Sequence, residues 1–181
     1  MAENVLVMFQ SMNATVEVRL TDAALRLVEK EALASPGMET GGILIGRYED
    51  DGNVAVITTA TERPGDSKAG RAWFQRGIDG LKTKLRDRWK HGEHYLGEWH
   101  SHPGGAPDPS TNDIREMRSI SINTSYRCRK PILVIAGTSG QHLRISVSVM
   151  ENGGLIRLRP VSPKQEANPS VASEAKGKPS P

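Results

Sequence analysis

The chain has 181 residues, of which 36% are hydrophobic and 25% are charged, and its formal net charge is +3. This size suits one globular domain, and no apolar run reaches the ~18 to 20 residues of a membrane span. Nucleic-acid binders concentrate basic and aromatic residues, whereas aromatic residues make up only 4% of this chain. We therefore expect neither a nucleic-acid partner nor a membrane partner.

Cys128 is the single cysteine, so a disulfide within the chain is impossible. The first residues include an acid and no basic region, which is unlike a signal peptide. Both features favour a reducing, cytoplasmic location. We interpret Cys128 as a small buried or half-buried apolar residue, with a redox or zinc-proximal role as the alternative.

The first half of the chain alternates strand and helix patterns. Strand-like segments at 4–9 and 15–20 precede a predicted helix over 21–35, for which Thr21 is the expected N-cap. Two more strands, 41–48 and 53–61, are joined by a short turn.

The second half begins with a polar segment, 63–75, that could be a substrate-binding flap or an ordinary solvated connection. A helix is predicted over 78–90, and a strand over 94–102. A third helix is predicted over 110–121. An apolar stripe is expected on the second helix, and three closing strands follow the third helix. The stripe consists of Ile78, Leu81, Leu85 and Trp89, and the strands are 131–137, 143–150 and 155–159.

This order of elements predicts an α+β domain with a mostly antiparallel sheet over residues 1–160. Residues 161–181 lack aromatic, Leu and Ile residues and are rich in Pro, Ser, Ala and Lys. Such a segment cannot bury enough apolar area to offset its ordering entropy, so we predict a disordered tail.

The segment "GEWHSHPGGAPDPSTNDI" contains the strongest chemical signal. His100 and His102 are two residues apart on a predicted strand and therefore project from one face as a two-imidazole chelate. Ser110 and Asp113 have capping-box spacing at a helix start, which would account for Asp113 structurally. Alternatively, Asp113 completes three protein ligands of a catalytic zinc with one open position.

Two glutamates are candidates for the general base that such a site needs. Glu98 shares the strand parity of the histidines, whereas Glu39 precedes a strand whose two glycines permit close backbone approach. These arguments leave the base undecided.

Trp99 has the opposite strand parity to the histidines and is expected in the core. Amidohydrolases on (β/α)₈ barrels also use His-x-His, but that barrel typically needs about 250 residues.

Three segments together resemble the JAMM (MPN-type) zinc isopeptidase family: "METGGILIGRY", "GEWHSHP" and "PSTNDI". The likeness covers roughly residues 12–160, and five chemical positions match at once. It implies the JAMM/MPN (cytidine-deaminase-like) fold, with a mostly antiparallel curved sheet flanked by helices. It also implies one Zn²⁺ per chain. The implied zinc ligands are His100, His102 and Asp113, with Glu39 as the base and Ser110 as donor to the oxyanion.

Within the family the chain is similar to the prokaryotic JAB group, and most like the CD-NTase/cGAS isopeptidases of type II CBASS antiphage operons. That likeness implies a protein substrate, in which an E1-E2-like protein has attached the C-terminus of a cGAS-like CD-NTase to a target. Conjugates of a bacterial ubiquitin-like protein, or a sulfur-carrier protein ending in Gly-Gly, are alternative substrates. A non-catalytic docking module is the alternative from a different class.

Overall fold

A computed structural model describes residues 4–161, and residues 1–3 and 162–181 lie outside the described range. The prediction of a disordered tail falls almost entirely on that last segment and stays a prediction. The described range contains three α-helices, α1 (Asp22–Leu33), α2 (Leu81–Trp89) and α3 (Thr111–Ile122). Its strands are β1 (Val5–Gln10), β2 (Glu17–Thr21), β3 (Gly41–Glu49), β4 (Val54–Ala60), β5 (Lys68–Ala69), β6 (Phe74–Gln75), β7 (His94–Pro103), β8 (Ile132–Ser139), β9 (His142–Glu151), β10 (Gly154–Arg157) and β11 (Arg159–Val161).

Nine of these strands form one sheet in the order β10-β9-β8-β7-β3-β4-β2-β1-β11. Six of the eight neighbouring pairs are antiparallel, and β2–β4 and β7–β8 are parallel. Only the buried Leu158 separates β10 from β11, although these strands lie at opposite ends of the order. The sheet therefore curls until one chain segment pairs with both of its ends. The predicted α+β architecture with a curved, mostly antiparallel sheet is confirmed.

Helix α1 covers one face of the sheet. The Thr21 hydroxyl accepts a hydrogen bond from the backbone N–H of Ala24, which confirms the predicted N-cap. Ala24, Val28 and Ala32 are fully buried at helical spacing, in a cluster that also contains Trp99. Trp99 is 1% exposed, and its indole N–H donates to the carbonyl oxygen of Thr61 at 2.9 Å, so its predicted core position is confirmed.

The opposite face of the sheet packs a second apolar cluster against α2 and α3. Ile43, Ile135 and Met117 of α3 belong to this cluster. Because successive side chains of a strand alternate between faces, His100 and His102 lie on this side, away from Trp99. Alternation along β7 thus separates a core tryptophan from the histidines beside it.

The apolar stripe predicted for the second helix is wrong at both ends. Ile78 is 73% exposed and Trp89 is 57% exposed, whereas Leu81 is buried and Leu85 partly buried. The helix begins at Leu81 rather than Ile78, because Gly80 adopts a left-handed conformation (φ +72°) that interrupts a right-handed helical turn. The carboxylate of Asp66 accepts the backbone N–H groups of Ile78 and Asp79 and so holds the turn before the helix.

Two further segments differ from their predictions. The polar loop contains β5, whose two residues pair with β6 in a small hairpin. Residues 155–159 form parts of β10 and β11 instead of one closing strand. No helix in the described residues is long and apolar enough to cross a bilayer.

Truncating a buried and an exposed isoleucine should distinguish the true core from the wrongly predicted stripe. Ile57→Ala empties a fully buried position and should lower the free energy of unfolding by about 2 to 5 kcal/mol. Ile78→Ala, the matched control, should change it by less than about 0.5 kcal/mol. Urea unfolding followed by circular dichroism measures both, and equal losses would contradict this description of the core.

Candidate metal centre

A cavity of about 690 Å³ opens on the side of the sheet that carries α3. It is lined by the end of β7 and the loop after it, by the first turns of α3, and by the β5–β6 hairpin segment. Glu39 completes the lining from the residues just before β3. All five residues singled out from the sequence line this cavity: Glu39, His100, His102, Ser110 and Asp113.

The two histidines converge at the end of β7. Their Nε2 atoms are 3.1 Å apart, and their ring centroids 5.0 Å. Nitrogen ligands about 2.0 to 2.1 Å from one tetrahedral metal ion are themselves about 3.3 Å apart. The imidazoles therefore already have the separation of two ligands of one ion.

The hydrogen bonding of His102 fixes which of its nitrogens can bind a metal. Nδ1 lies 3.0 Å from the carbonyl oxygen of Ala106, and because a carbonyl only accepts, Nδ1 carries the hydrogen. Nε2 therefore keeps its lone pair and faces His100. Burial lowers the pKa of His102, which favours the neutral ring that a metal requires.

Asp113 both caps α3 and faces the two histidines. Its carboxylate accepts the backbone N–H of Ser110 at 2.6 Å, while the Ser110 hydroxyl accepts the backbone N–H of Asp113 at 3.2 Å, a complete capping box. The same carboxylate lies 3.4 Å from Nε2 of His100 and 3.9 Å from Nε2 of His102. The two alternatives raised by the sequence are thus compatible, because the cap aims the carboxylate at the histidines.

The ionisation of Asp113 follows from these neighbours. Burial alone would raise its pKa, but hydrogen bonding and attraction from His100, together with hydrogen bonds from Ser110, lower it to about 2. Asp113 is therefore an anion throughout the neutral range, as a metal-binding carboxylate must be.

Glu39 is held next to the histidines by reciprocal hydrogen bonds between its neighbour Thr40 and Ser101. The backbone N–H of Thr40 donates to the Ser101 hydroxyl at 3.1 Å, and the backbone N–H of Ser101 donates to the Thr40 carbonyl at 2.8 Å. Ser101 lies between the two histidines and is fully buried. A contact between distant segments thus places the glutamate beside the imidazoles.

The carboxyl group of Glu39 is itself largely shielded from water, with 8% of the residue exposed. Burial raises its pKa to about 7, and the carboxylates of Asp113 and Glu116 add to the rise while His100 opposes it. Both of its protonation states are accessible near neutral pH, which is the property of a general acid–base group.

The donor set of this cluster fits a metal ion. Ligand atoms of Glu39, His100 and His102 all lie within 4.8 Å of one another, and Asp113 adds a carboxylate beside both imidazoles. Imidazole nitrogen with carboxylate oxygen suits zinc and several other divalent ions. The cluster can therefore hold a metal ion between its two imidazoles and the carboxylates of Glu39 and Asp113.

Glu98, the alternative base allowed by strand parity, is occupied elsewhere. Its carboxylate accepts Arg76 Nε at 2.6 Å and the Tyr95 hydroxyl at 2.8 Å. Geometry therefore favours Glu39 over Glu98 as the carboxylate that faces the histidines.

Two residues of the cavity were missed by the sequence interpretation. Arg76 lies one residue beyond the segment considered as a flap, and no local pattern links it to Glu98, 22 residues away. Glu116 lies three residues after Asp113, a helical spacing that could have revealed it. Partial burial and the carboxylates of Asp113 and Glu98 raise the pKa of Glu116.

Cys128 lies outside the cavity lining, in the second apolar cluster, and is 4% exposed. Its Sγ is 3.7 Å from both the Tyr48 hydroxyl and the carbonyl oxygen of Leu96, and burial raises its thiol pKa. The interpretation of Cys128 as a small buried residue is confirmed.

Adding one methyl group at Gly41 should disturb the metal cluster. A Cβ there would lie 2.3 Å from the carbonyl oxygen of Trp99 and 2.9 Å from Cβ of His100, whereas a Cβ at Gly37 meets nothing within 4 Å. We expect Gly41→Ala to cost about 1 to 3 kcal/mol of stability and to weaken metal binding, with Gly37→Ala unchanged. Calorimetric titration with Zn²⁺ and thermal unfolding measure both effects, and tight binding by Gly41→Ala would contradict the described packing.

Comparison with known proteins supports the family and the fold. Residues 21–148 match the family model for prokaryotic homologs of the JAB domain. The solution structure of a protein from Desulfitobacterium hafniense superposes with a TM-score of 0.57 at 20% identity, over 76% of this chain and 87% of that one. That likeness supports the fold.

Curated relatives extend the match. A "CD-NTase/cGAS isopeptidase" from Enterobacter hormaechei subsp. hoffmannii is 45% identical over 86% of this chain and 87% of its own length. Proteins of the same name from Escherichia coli and Pseudomonas aeruginosa are 33% and 32% identical, over 54% and 59% of this chain and 64% and 68% of their own lengths. The family predicted from motif spacing is confirmed: the chain belongs to the prokaryotic JAB-domain family.

Proposed function

We propose that this protein is a zinc-dependent isopeptidase that hydrolyses the amide bond after the C-terminus of a conjugated protein. The observation that carries the proposal is the meeting of Glu39, His100, His102 and Asp113 in one open cavity. Two imidazoles with a carboxylate on each side match the demands of metal-assisted hydrolysis. Membership of the JAB-domain family supports a hydrolase with this chemistry.

In this proposal His100, His102 and Asp113 hold one Zn²⁺. When bound, the ion supplies a Lewis acid that polarises the scissile carbonyl and makes water more acidic. Glu39 is left free of the ligand set and takes the proton-transfer role. The buried position of the cluster on β7 and α3 keeps its donors fixed before substrate arrives.

Glu39 moves the proton of the reaction. Its carboxylate accepts a proton from the attacking water and then donates that proton to the nitrogen of the leaving amine, which restores the carboxylate. Since one group performs both transfers, no covalent acyl-enzyme is required. Cys128 plays no part, because it is buried outside the cavity.

Ser110 stabilises the negative charge that develops on the carbonyl oxygen. Its oxygen already accepts the Asp113 N–H, so its hydroxyl hydrogen is available to donate into the cavity that it lines. The residue also stands at the N-terminus of α3, where the helix dipole is positive. Both effects act on the oxyanion rather than on the ground-state carbonyl.

The proposed substrate is a cGAS-like CD-NTase whose C-terminus an E1-E2-like protein has joined to a target, in cytoplasmic CBASS antiphage defence. The names of three relatives support this choice, foremost the one that is 45% identical. Conjugates of a ubiquitin-like protein, or a sulfur-carrier precursor, are the alternative substrates. A non-catalytic docking role is weakly supported, because the ligand and base positions are all filled.

Replacing the proposed base should abolish cleavage while leaving the metal in place. We expect Glu39→Gln to slow release of a reporter fused to the C-terminus of a CD-NTase by about 100-fold or more, with Zn²⁺ content unchanged. Glu29→Gln, an exposed glutamate on α1, is the matched control and should retain full activity. A chelator should stop the wild-type reaction, and added Zn²⁺ should restore it.

The outcomes of that assay separate the alternatives. A zinc-loaded wild type that cleaves only ubiquitin-like or sulfur-carrier fusions would overturn the CD-NTase assignment and keep the isopeptidase. A wild type that binds no metal and cleaves nothing would favour the docking module. Full activity of Glu39→Gln would refute its role as the base.

Removing the only thiol should leave catalysis intact. We expect Cys128→Ala to keep the activity of the wild type and to lose about 1 kcal/mol of stability from the small cavity it creates. The check compares kcat/KM and thermal unfolding of the two proteins. A large loss of activity in a folded Cys128→Ala protein would contradict the proposed mechanism.

A further inference from the structure

The segment between β4 and α2 forms one wall of the cavity. Six consecutive residues, 71–76, line it, and they include strand β6 of the hairpin. Phe74 packs close to Gly41, where a Cβ would come within 2.7 Å of its ring. Gly41 is in turn paired with His100 in the β3–β7 ladder. The hairpin thus lies directly against the backbone that carries the metal cluster.

The hairpin is joined to the candidate base through the backbone. The N–H of Glu39 donates to the carbonyl oxygen of Gly70 at 2.9 Å, and the N–H of Gly70 donates to the carbonyl oxygen of Trp73 at 2.9 Å. A displacement of the hairpin would therefore pull on the main chain of Glu39.

An ion pair fixes the other arm of the hairpin to β7. Arg76 donates through Nε to Glu98 at 2.6 Å, through Nη1 to the Gly77 carbonyl at 2.8 Å and through Nη2 to the Tyr126 hydroxyl at 3.3 Å. The side chains of Arg76 and Glu98 are each only 14% exposed. Such a shielded, oriented pair holds its geometry better than a surface pair does.

A bulge in β7 brings a second hydrogen-bond donor to the carboxylate of Glu98. Leu44 pairs with Gly97 and Ile45 with Tyr95, so Leu96 is an extra residue in the ladder. Tyr95 and Glu98 consequently share a face, and the Tyr95 hydroxyl donates to the second carboxylate oxygen of Glu98 at 2.8 Å. Both oxygens of Glu98 are therefore engaged, two residues before His100.

We propose that the Arg76–Glu98 ion pair is a positioning device that holds the hairpin against the metal cluster and thereby fixes the backbone of Glu39. Its catalytic consequence rests on the proposed function, whereas its effect on the hairpin does not. Arg76 and Glu98 are positioning residues, since the proposed mechanism gives neither of them a contact with the reacting atoms. Glu98, which the geometry does not favour as the general base, thus supports the position of Glu39 through this ion pair.

The two ends of the hairpin are held by hydrogen bonds that do not involve this ion pair. Asp66 accepts the N–H groups of Ile78 and Asp79, and the Ser67 hydroxyl accepts the N–H of Gly77 at 2.9 Å. Loss of the ion pair should therefore loosen the hairpin locally and leave the domain folded. That separation makes the proposal testable in the intact chain.

The test uses Arg76→Gln, Glu98→Gln and the double variant in the full chain, with Arg76→Lys as the conservative replacement. Arg26→Gln, which removes an exposed ion pair with Asp22 on α1, is the matched control. Hydrogen exchange of the Glu39 and Gly70 amides is the primary measurement, with Val134 in β8 as internal reference. Zn²⁺ stoichiometry and the separate kcat and KM for the fusion substrate complete the set.

We expect each Gln variant to speed exchange at Glu39 and Gly70 by about tenfold or more, with Val134 unaffected. The double variant should match a single one, because both remove the same interaction. We expect kcat to fall by about tenfold with bound Zn²⁺ unchanged, and Arg76→Lys to recover part of both effects. Arg26→Gln should change none of these quantities.

Unchanged exchange at Glu39 and Gly70 in folded Arg76→Gln protein would overturn the proposal, as would additive effects in the double variant. If Arg76→Gln does not fold, Arg76→Lys tests the proposal instead. Amide exchange at Glu39 and Gly70 must then be faster in Arg76→Lys than in the wild type. If the wild type cleaves no substrate, the proposed function fails, and the exchange data still decide whether the ion pair holds the hairpin.

Discussion

The site depends on the reciprocal hydrogen bonds between Thr40 and Ser101, which extend the antiparallel register of β3 and β7. The two residues are 61 positions apart in the chain, yet Thr40 follows Glu39 and Ser101 separates the two histidines. Because backbone pairing is directional, this register leaves Glu39 little freedom relative to the imidazoles. Gly41 permits it by keeping a side chain out of the contact with Trp99.

Four carboxylates line the same cavity, and their surroundings give them different properties. His100 and Ser110 lower the pKa of Asp113, whereas burial raises that of Glu39. Arg76 neutralises Glu98, although burial still raises the pKa of Glu98. Glu116 lies near the other three and forms no ion pair of its own among the described residues, and burial raises its pKa. The carboxyl group is thus an anion in Asp113, a group that titrates near neutral pH in Glu39 and a partner of Arg76 in Glu98, according to its neighbours.

Much of this arrangement could be predicted from the sequence. Alternation along β7 correctly separated Trp99 from His100 and His102, and capping-box spacing correctly placed Ser110 and Asp113 at a helix start. The second helix was predicted to start too early, because apolar spacing does not reveal that Gly80 adopts a left-handed conformation (φ +72°). The carboxylate of Asp66, 12 residues before Ile78, fixes the turn that precedes the helix.

The sequence by itself determined most of the elements and the side-chain types gathered at the candidate site, because side-chain period, caps and donor chemistry are local properties. It could not choose between Glu39 and Glu98 as the base on physical grounds alone, since both choices satisfied the local pattern. The tertiary structure favours Glu39 as the carboxylate that faces the histidines, because it engages Glu98 with Arg76 and pairs β3 with β7. Such contacts join residues far apart in the chain, and the register of the strands is set by the curled sheet as a whole.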